Sequence, residues 1–346
     1  MRSRQRARGR SGAAFIAWTP TPGRADDIAA ALGGEARSFY WREIVNPRLI
    51  PLRYLVDAFR TAWYLTRRRP RAVIATNPPL FPALIGYAYA RVAGVPLVLD
   101  SHISGFGLAG DRLSKLMLPV HSWLASRAAA TIVTGDELGG IARSWGATPV
   151  IVHEPPPPWE VGPAGPMRAR PRVLFAGMMA GDEPLAEVIE AARLVPELDV
   201  QVTGDLRKRP AAIGRAAPPN VTFVGLLPVG EFAKAVGQAD VILSLSTERV
   251  SVMRTAYEAV YAARPLVIPD RPMLRELFPH AVHVEISPEG IASGLRAATA
   301  RHDELVRAAP VARALQERRW QAQLALLRSY VEGHAHTQAP EPATHA

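Results

Sequence analysis

Short apolar runs alternate with longer stretches of helical composition along most of the chain. In the first half the runs Ala14–Trp18, Ala36–Tyr40, Ala72–Ala75, Leu97–Asp100, Thr131–Thr134 and Val150–Val152 predict strands. Ala25–Leu32, Leu49–Arg69, Phe81–Ala93, Asp111–Ser126 and Glu137–Trp145 predict helices between them. Several of these runs are Val, Ile, Leu and Ala throughout rather than alternating with polar residues, which is the pattern of strands buried on both faces. Strand and helix in strict alternation specify a doubly wound parallel sheet. The proline-rich stretch from His153 to Pro171 breaks the pattern, because proline neither donates to a ladder nor continues a helix.

A second series then predicts strands at Arg172–Ala176, Asp199–Thr203, Val221–Val224, Val241–Leu245, Leu266–Ile268 and Val282–Glu285. The expected fold class is therefore α/β, with two Rossmann-like domains at residues 1–155 and 172–304, a linker at 156–171, and a ligand cleft between their carboxyl edges. Asp303–Glu332 is helical by composition, and residues 333–346 are expected to be disordered.

A chain of 346 residues, 48% of them hydrophobic, suits two α/β cores rather than one. No uninterrupted apolar run is long enough to span a bilayer. The basic segment from Met1 to Gly12 is followed by an apolar stretch, Ala13–Trp18, too short for a signal-peptide core, so a cytoplasmic location is expected. Zero cysteines exclude disulfides, thiolate zinc sites and cysteine nucleophiles.

The net charge of +10 is uneven: residues 1–160 hold 20 basic and 11 acidic residues (20 − 11 = +9), and residues 161–346 hold 21 and 20 (21 − 20 = +1). Such a half suits the anionic inner face of the plasma membrane, where each surface cation contributes about 1 kcal/mol, or nucleic acid. Alternatively, since 38 of the 41 basic residues are arginine, codon bias accounts for many as solvated surface. Leu49–Arg69 is apolar nearly all round and ends in arginines, which fits a core-packed helix with a basic end, an interfacial membrane helix, or both on different faces.

The segment Ala239–Asp270 sets Glu258 on a helix between two buried strands, in the first turns facing the carboxyl edge of the sheet, where a carboxylate accepts hydrogen bonds from a sugar or ribose hydroxyl pair. Glu258, Ala259, Pro265, Val267 and Ile268 resemble the C-terminal signature of the retaining nucleotide-sugar glycosyltransferases of family 4, which have the two-domain GT-B fold. The resemblance extends over roughly residues 14 to 330 and implies that Glu258 binds the donor ribose. It also implies that the last helix, about 305–330, crosses back to the N-terminal, acceptor-side domain.

Further assignments follow from the same resemblance. His102, after the strand ending at Asp100, is the candidate catalytic residue that reaches the transferred sugar; as sequence alone it also fits an ordinary core or surface histidine. Asp100 fits a base if the reaction inverts, or a turn or capping role. Gly225 and Leu226 are carried over to the base-binding loop, and Gly177 to the end of the strand facing the diphosphate. In the first domain Gly23 and Arg24 occupy the loop that meets donor phosphate and acceptor, and Asn77 opens a Thr-Asn-Pro-Pro turn as a helix cap, comparable to turns in transferases of lipid-linked acceptors.

The chain also departs from the family. Where a second glutamate is expected there is Val250, with Glu248 two residues off register; where an arginine and a lysine neutralise the diphosphate there are Met178 and Glu183. Three replacements are open: Arg254, which is favoured, the cluster Arg207, Lys208 and Arg209, or helix N-termini. No Asp-x-Asp pair occurs, histidines are too scattered for zinc, and neither a Walker loop nor a Gly-x-Gly-x-x-Gly after the first strand is present. No metal or cofactor is expected beyond a nucleotide-sugar co-substrate.

The expected function is transfer of a hexose from a nucleotide sugar to a lipid-linked or envelope glycan acceptor, by the metal-independent, retaining route that the family implies. A non-catalytic GT-B-like scaffold at the membrane is the alternative. Nucleic-acid binding lacks a recognised module.

Overall fold

The computed structural model describes residues 12–19, 23–41, 49–108, 112–208 and 210–333. The expected tail beyond Gly333 and the basic segment before Gly12 lie outside them. The chain forms two compact units, one of Met1–Pro155 with Trp320–Ala346, the other of Pro156–Arg319.

In the first unit the chain runs β1 (Ala13–Ala17), α1 (Arg24–Ala31), β2 (Glu35–Ser38), α2 (Ile50–Arg68), β3 (Ala72–Asn77), α3 (Leu80–Ala93), β4 (Leu97–Ser101), α4 (Arg112–Ala125), β5 (Ala130–Val133), α5 (Asp136–Ser144) and β6 (Pro149–Ile151). The six strands are parallel in the order β2-β1-β3-β4-β5-β6. β1, β3, β4 and β5 are buried at every position, the apolar residues of each accompanied at the carboxyl ends of β3 and β4 by the buried polar groups Thr76, Asn77, Asp100 and Ser101.

The second unit holds β7 (Arg172–Phe175), α6 (Leu185–Leu194), β8 (Asp199–Thr203), α7 (Ala211–Ala216), β9 (Val221–Gly225), α8 (Val229–Gln238), β10 (Val241–Leu243), α9 (Arg254–Tyr261), β11 (Leu266–Pro269), α10 (Pro272–Leu277), β12 (Val282–Val284) and α11 (Pro288–Ala300). Its strands are parallel in the order β12-β11-β10-β7-β8-β9. The chain winds outward from β7 through β8 and β9, then returns to the other side of β7 and winds outward through β11 and β12. The direction of winding reverses between β7 and β10, and open α/β sheets bind their ligands outside the carboxyl ends of strands at such a switch point.

The last helix, α12 (His302–Val331), contains Pro310. From Trp320 onward it belongs to the first unit, where Trp320, Leu324, Leu327 and Val331 join Phe15, Ile28, Ile74 and Ile132 in one core. Burying each such aliphatic side chain contributes about 1.5–3 kcal/mol.

The predicted doubly wound class is borne out, with element ends shifted by a residue or two. β10 stops at Leu243 rather than Leu245, because after a last bond from the Ser244 N–H to the Val267 carbonyl at 3.0 Å the chain turns away into a polar loop. α2 has two different apolar faces. Inward, Thr61 accepts a hydrogen bond from the Trp18 indole N–H at 3.0 Å, and Leu65 is fully buried. Outward, Leu52, Leu55, Phe59 and Trp63, spaced three to four residues apart, are exposed, Leu55 and Phe59 at 69% and Trp63 at 57%. Beside that face a groove of about 650 Å³ is lined by Phe59, Trp63, Arg37, Arg60, Arg67 and Arg68 among others. No described helix is long and apolar enough to cross a membrane.

Candidate functional site

The switch point of the second sheet is shaped by the loop that leaves β7. Thr203, at the end of β8, holds its first residue from both sides: its Oγ1 accepts from the Gly177 N–H and donates to the Gly177 carbonyl, each at 2.9 Å. Two residues on, Met179 has φ of 56°, a left-handed conformation costing a non-glycine residue about 1–2 kcal/mol. Its side chain is buried in the unit's core, which over-determines the strained turn. Alternation of backbone hand turns successive N–H groups toward one point and makes a concavity for an anion.

A carboxylate occupies that concavity. Glu183 accepts from the Met178 N–H at 2.8 and 3.1 Å and from the Ala180 N–H at 3.3 Å. The carboxylate seats directly over Gly177, where a Cβ would lie 2.4 Å from a Glu183 carboxylate oxygen and displace it. The far end of the loop is tied to the segment after β10: Asp182 accepts from the Ser246 hydroxyl at 2.6 Å and, through its carbonyl, from the Thr247 N–H at 2.7 Å.

α9 begins beside the same point. The Thr255 hydroxyl donates to the Ala176 carbonyl at 3.3 Å, fixing the first turn of α9 against the residue that precedes Gly177. One turn further, Glu258 is buried and its Oε1 lies 3.1 Å from Arg254 Nε, with side chains 10% and 33% exposed respectively. Arg254 and Glu258, expected to contact a diphosphate and a ribose separately, are thus an ion pair four residues apart on one helix face.

The remaining sequence candidates in this unit fall around the same edge. The Glu248 N–H donates to Ser246 Oγ at 3.2 Å, while the Glu248 carbonyl and that of Ser246 accept from Arg271, the latter at 2.5 Å. Arg271 carries no functional expectation from the sequence, although a basic residue two positions after β11 was a visible signal. Burial pulls its pKa down, and Glu248 nearby opposes that shift. Val250, at the position of the missing glutamate, is buried. Gly225 ends β9 with φ of 77°, its carbonyl accepting from the Gly204 N–H at 3.1 Å, and Leu226 beside it is exposed. Of the basic cluster, Arg207 forms a two-pronged pair with Asp205, and this guanidinium holds the Asp205 carboxyl down to about 2. Arg209 lies outside the described residues.

In the first unit one expectation needs correction. Asn77 does not cap α3: it is the last residue of β3, in register with Ser101, its side chain is buried, and the cap position belongs to Pro79 with no side-chain hydrogen bond. What Asn77 does is accept the His102 N–H on its carbonyl at 2.9 Å, seating the histidine. Arg24, the first residue of α1, is engaged within the unit. Its guanidinium donates to Glu154 at 2.6 Å and to the Val152 carbonyl at 2.7 Å, and its Nε is 3.8 Å from Asp100 Oδ1. With buried Asp100 and partly buried Glu154 on either side of it, Arg24 ties the end of β6 to α1.

His102 follows β4 with a side chain 51% exposed and its Nε2 3.8 Å from Asp100 Oδ2. Asp100 therefore stands between Arg24 and His102. Gly23 starts α1 with φ of 48°, and the rest of its loop, residues 20–22, lies outside the described residues. No group of three or more His, Asp or Glu residues able to hold a metal is present among the described residues.

Solved structures with the same two-sheet architecture decide the fold. HepE from Anabaena, in complex with UDP and glucose, superposes with a TM-score of 0.72 at 14% identity, covering 93% of this chain and 99% of its own. The fold is GT-B. GT-B similarity extends to a sucrose-phosphate synthase from Thermosynechococcus elongatus (TM-score 0.66, 15% identity, 92% of this chain and 100% of that one). A glycosyltransferase from Rickettsia africae matches at TM-score 0.65 and 12% identity over 94% and 99%. No protein-family model and no curated protein matches the sequence.

Proposed function

We propose that this GT-B protein is a glycosyltransferase that moves a hexose from a nucleotide sugar to a lipid-linked or envelope glycan acceptor. The observation that carries the reading is the buried carboxylate of Glu258, placed with its own counter-charge beside the switch point of the second sheet. A carboxylate held there accepts both hydroxyls of a ribose. Gly225 and Leu226 are assigned to the base, Gly177 and Arg254 to the phosphates, Glu248 to the sugar, and His102 to the transferred sugar as the catalytic residue. The leaving diphosphate is stabilised by oriented backbone dipoles and arginine charge rather than by a metal, and the anomeric configuration is retained. HepE, solved with UDP-glucose at a TM-score of 0.70, supports a nucleotide-sugar donor.

An anionic membrane surface at the inner face of the plasma membrane is the proposed location. Its support is the outward apolar face of α2 with Arg60, Arg67 and Arg68 at its edge. Gly23 and Asn77 remain assigned to the acceptor side, Asn77 through its hold on His102.

A second reading, a GT-B scaffold that binds a glycan or an enzyme without turnover, is favoured by two observations: Glu183 fills the backbone concavity after β7, and Val250 is buried where a ligand contact is expected. Screening UDP-, GDP- and ADP-sugars for sugar release and for thermal stabilisation, with Glu258→Ala alongside, separates the two. Stabilisation with release supports the transferase; neither, in the parent protein, removes it.

A further inference from the structure

The loop after β7 is built as an anion cradle whether or not Glu183 is present. Its shape comes from Met179, anchored in the core with a left-handed backbone, from Thr203 gripping Gly177, and from the tie between Asp182 and Ser246. None of these contacts involves the Glu183 side chain. The carboxylate is a tenant of the concavity rather than its frame. Resting on the donor-site reading above, we infer that Glu183 is an internal competitor for the donor's phosphates: its carboxylate occupies the Met178 and Ala180 N–H groups, and a diphosphate reaches them only by displacing it. The two states are exclusive because two anions cannot share the same two donors, and like charges at that separation repel strongly away from bulk water. The displaced carboxylate swings to solvent on the exposed side of the loop, where Met178 is already exposed. The competition sets the chain's affinity for phosphate-bearing ligands without touching its affinity for a nucleoside, which has no group to place there.

The test compares the parent with Glu183→Gln, nearly isosteric, and Glu183→Ala, by titration calorimetry with inorganic pyrophosphate, UDP and uridine. The backbone amide resonances of Met178 and Ala180 are followed in parallel. Competition predicts that both variants bind pyrophosphate at least about tenfold more tightly than the parent. The gain is shared by UDP and absent for uridine, and the two amide resonances shift on pyrophosphate addition. Pyrophosphate affinity within about twofold in all three proteins, or binding that leaves the Met178 and Ala180 amides unmoved, overturns it, as does an equal gain for uridine. If pyrophosphate discriminates while UDP binds none of the three, the nucleotide-donor reading fails and the competitor role of Glu183 stands.

Discussion

Replacing Glu258 is the most direct probe of the donor assignment. In Glu258→Gln the side chain keeps its size and one carbonyl oxygen but loses its charge. Each hydrogen bond from a hydroxyl to a carboxylate is worth about 1.5–3 kcal/mol. Allowing for re-solvation of the two ribose hydroxyls, the loss is about 3 kcal/mol, or roughly 100-fold in Kd. The same substitution costs little stability, since Arg254 is a third exposed and such pairs contribute at most about 1 kcal/mol, a Tm drop of about 2–4 °C. Calorimetric titration with whichever of UDP, GDP or ADP stabilises the parent measures the first quantity, and scanning calorimetry the second. Arg254→Ala completes a double-mutant cycle in nucleotide affinity: if Glu258 acts only by holding Arg254, the losses of the two single variants do not add, whereas separate contacts with ribose and phosphate make them additive. A folded Glu258→Gln protein binding within threefold of the parent would refute the ribose assignment.

Four other outcomes are expected. His102→Ala lowers turnover at least about 100-fold while leaving nucleotide Kd within twofold, as expected of a group that meets the sugar and not the nucleotide; unchanged turnover removes it from the chemistry. Substituting Arg67, Arg68 and Arg69 with alanine weakens sedimentation with phosphatidylglycerol vesicles by roughly 100-fold, at about 1 kcal/mol per cation, and equal binding rejects the membrane surface. Leu327→Ala, fully buried in the first unit, costs about 2–5 kcal/mol in urea denaturation, whereas Leu326→Ala next to it, exposed, stays within about 0.5 kcal/mol. His121 is buried and desolvation holds its imidazole below the ordinary 6.5. The unfolded chain takes up a proton there that the folded protein does not, so its contribution to stability is intact above about pH 6.5 and declines as pH falls. Denaturation midpoints between pH 7.5 and 5 should therefore fall less steeply in His121→Leu than in the parent, and parallel profiles would contradict this.

The fold was legible because its strands are short, branched and apolar, and because the helices between them run past a full turn on either side. Strand ends were legible only where pairing agreed with composition: Leu245 looks strand-like, yet the bonding to β11 ends at the Ser244 N–H. The site was read residue by residue, and there the sequence hid the pairings. Arg254 and Glu258 stand at helical spacing, but nothing in their identities says that each is the other's partner. Glu183 could be read as a repulsive charge and not as the occupant of a backbone concavity, since that concavity depends on the left-handed turn at Met179, a residue type that does not advertise it. Arg24 reads as a loop arginine because Glu154, with which it pairs, is 130 positions away.

The first unit is interrupted in sequence: the chain leaves it at Pro155 and re-enters at Trp320, and four side chains of α12 finish its core. The second unit is contiguous. During translation, then, the segment that emerges earlier waits with an open hydrophobic seam, while the one made after it has everything it requires. Order of synthesis and order of completion are reversed. Nascent chains halted before Trp320 leaves the exit tunnel should carry a protease-resistant later half and a sensitive earlier one, a liability that ribosome-associated chaperones are suited to cover.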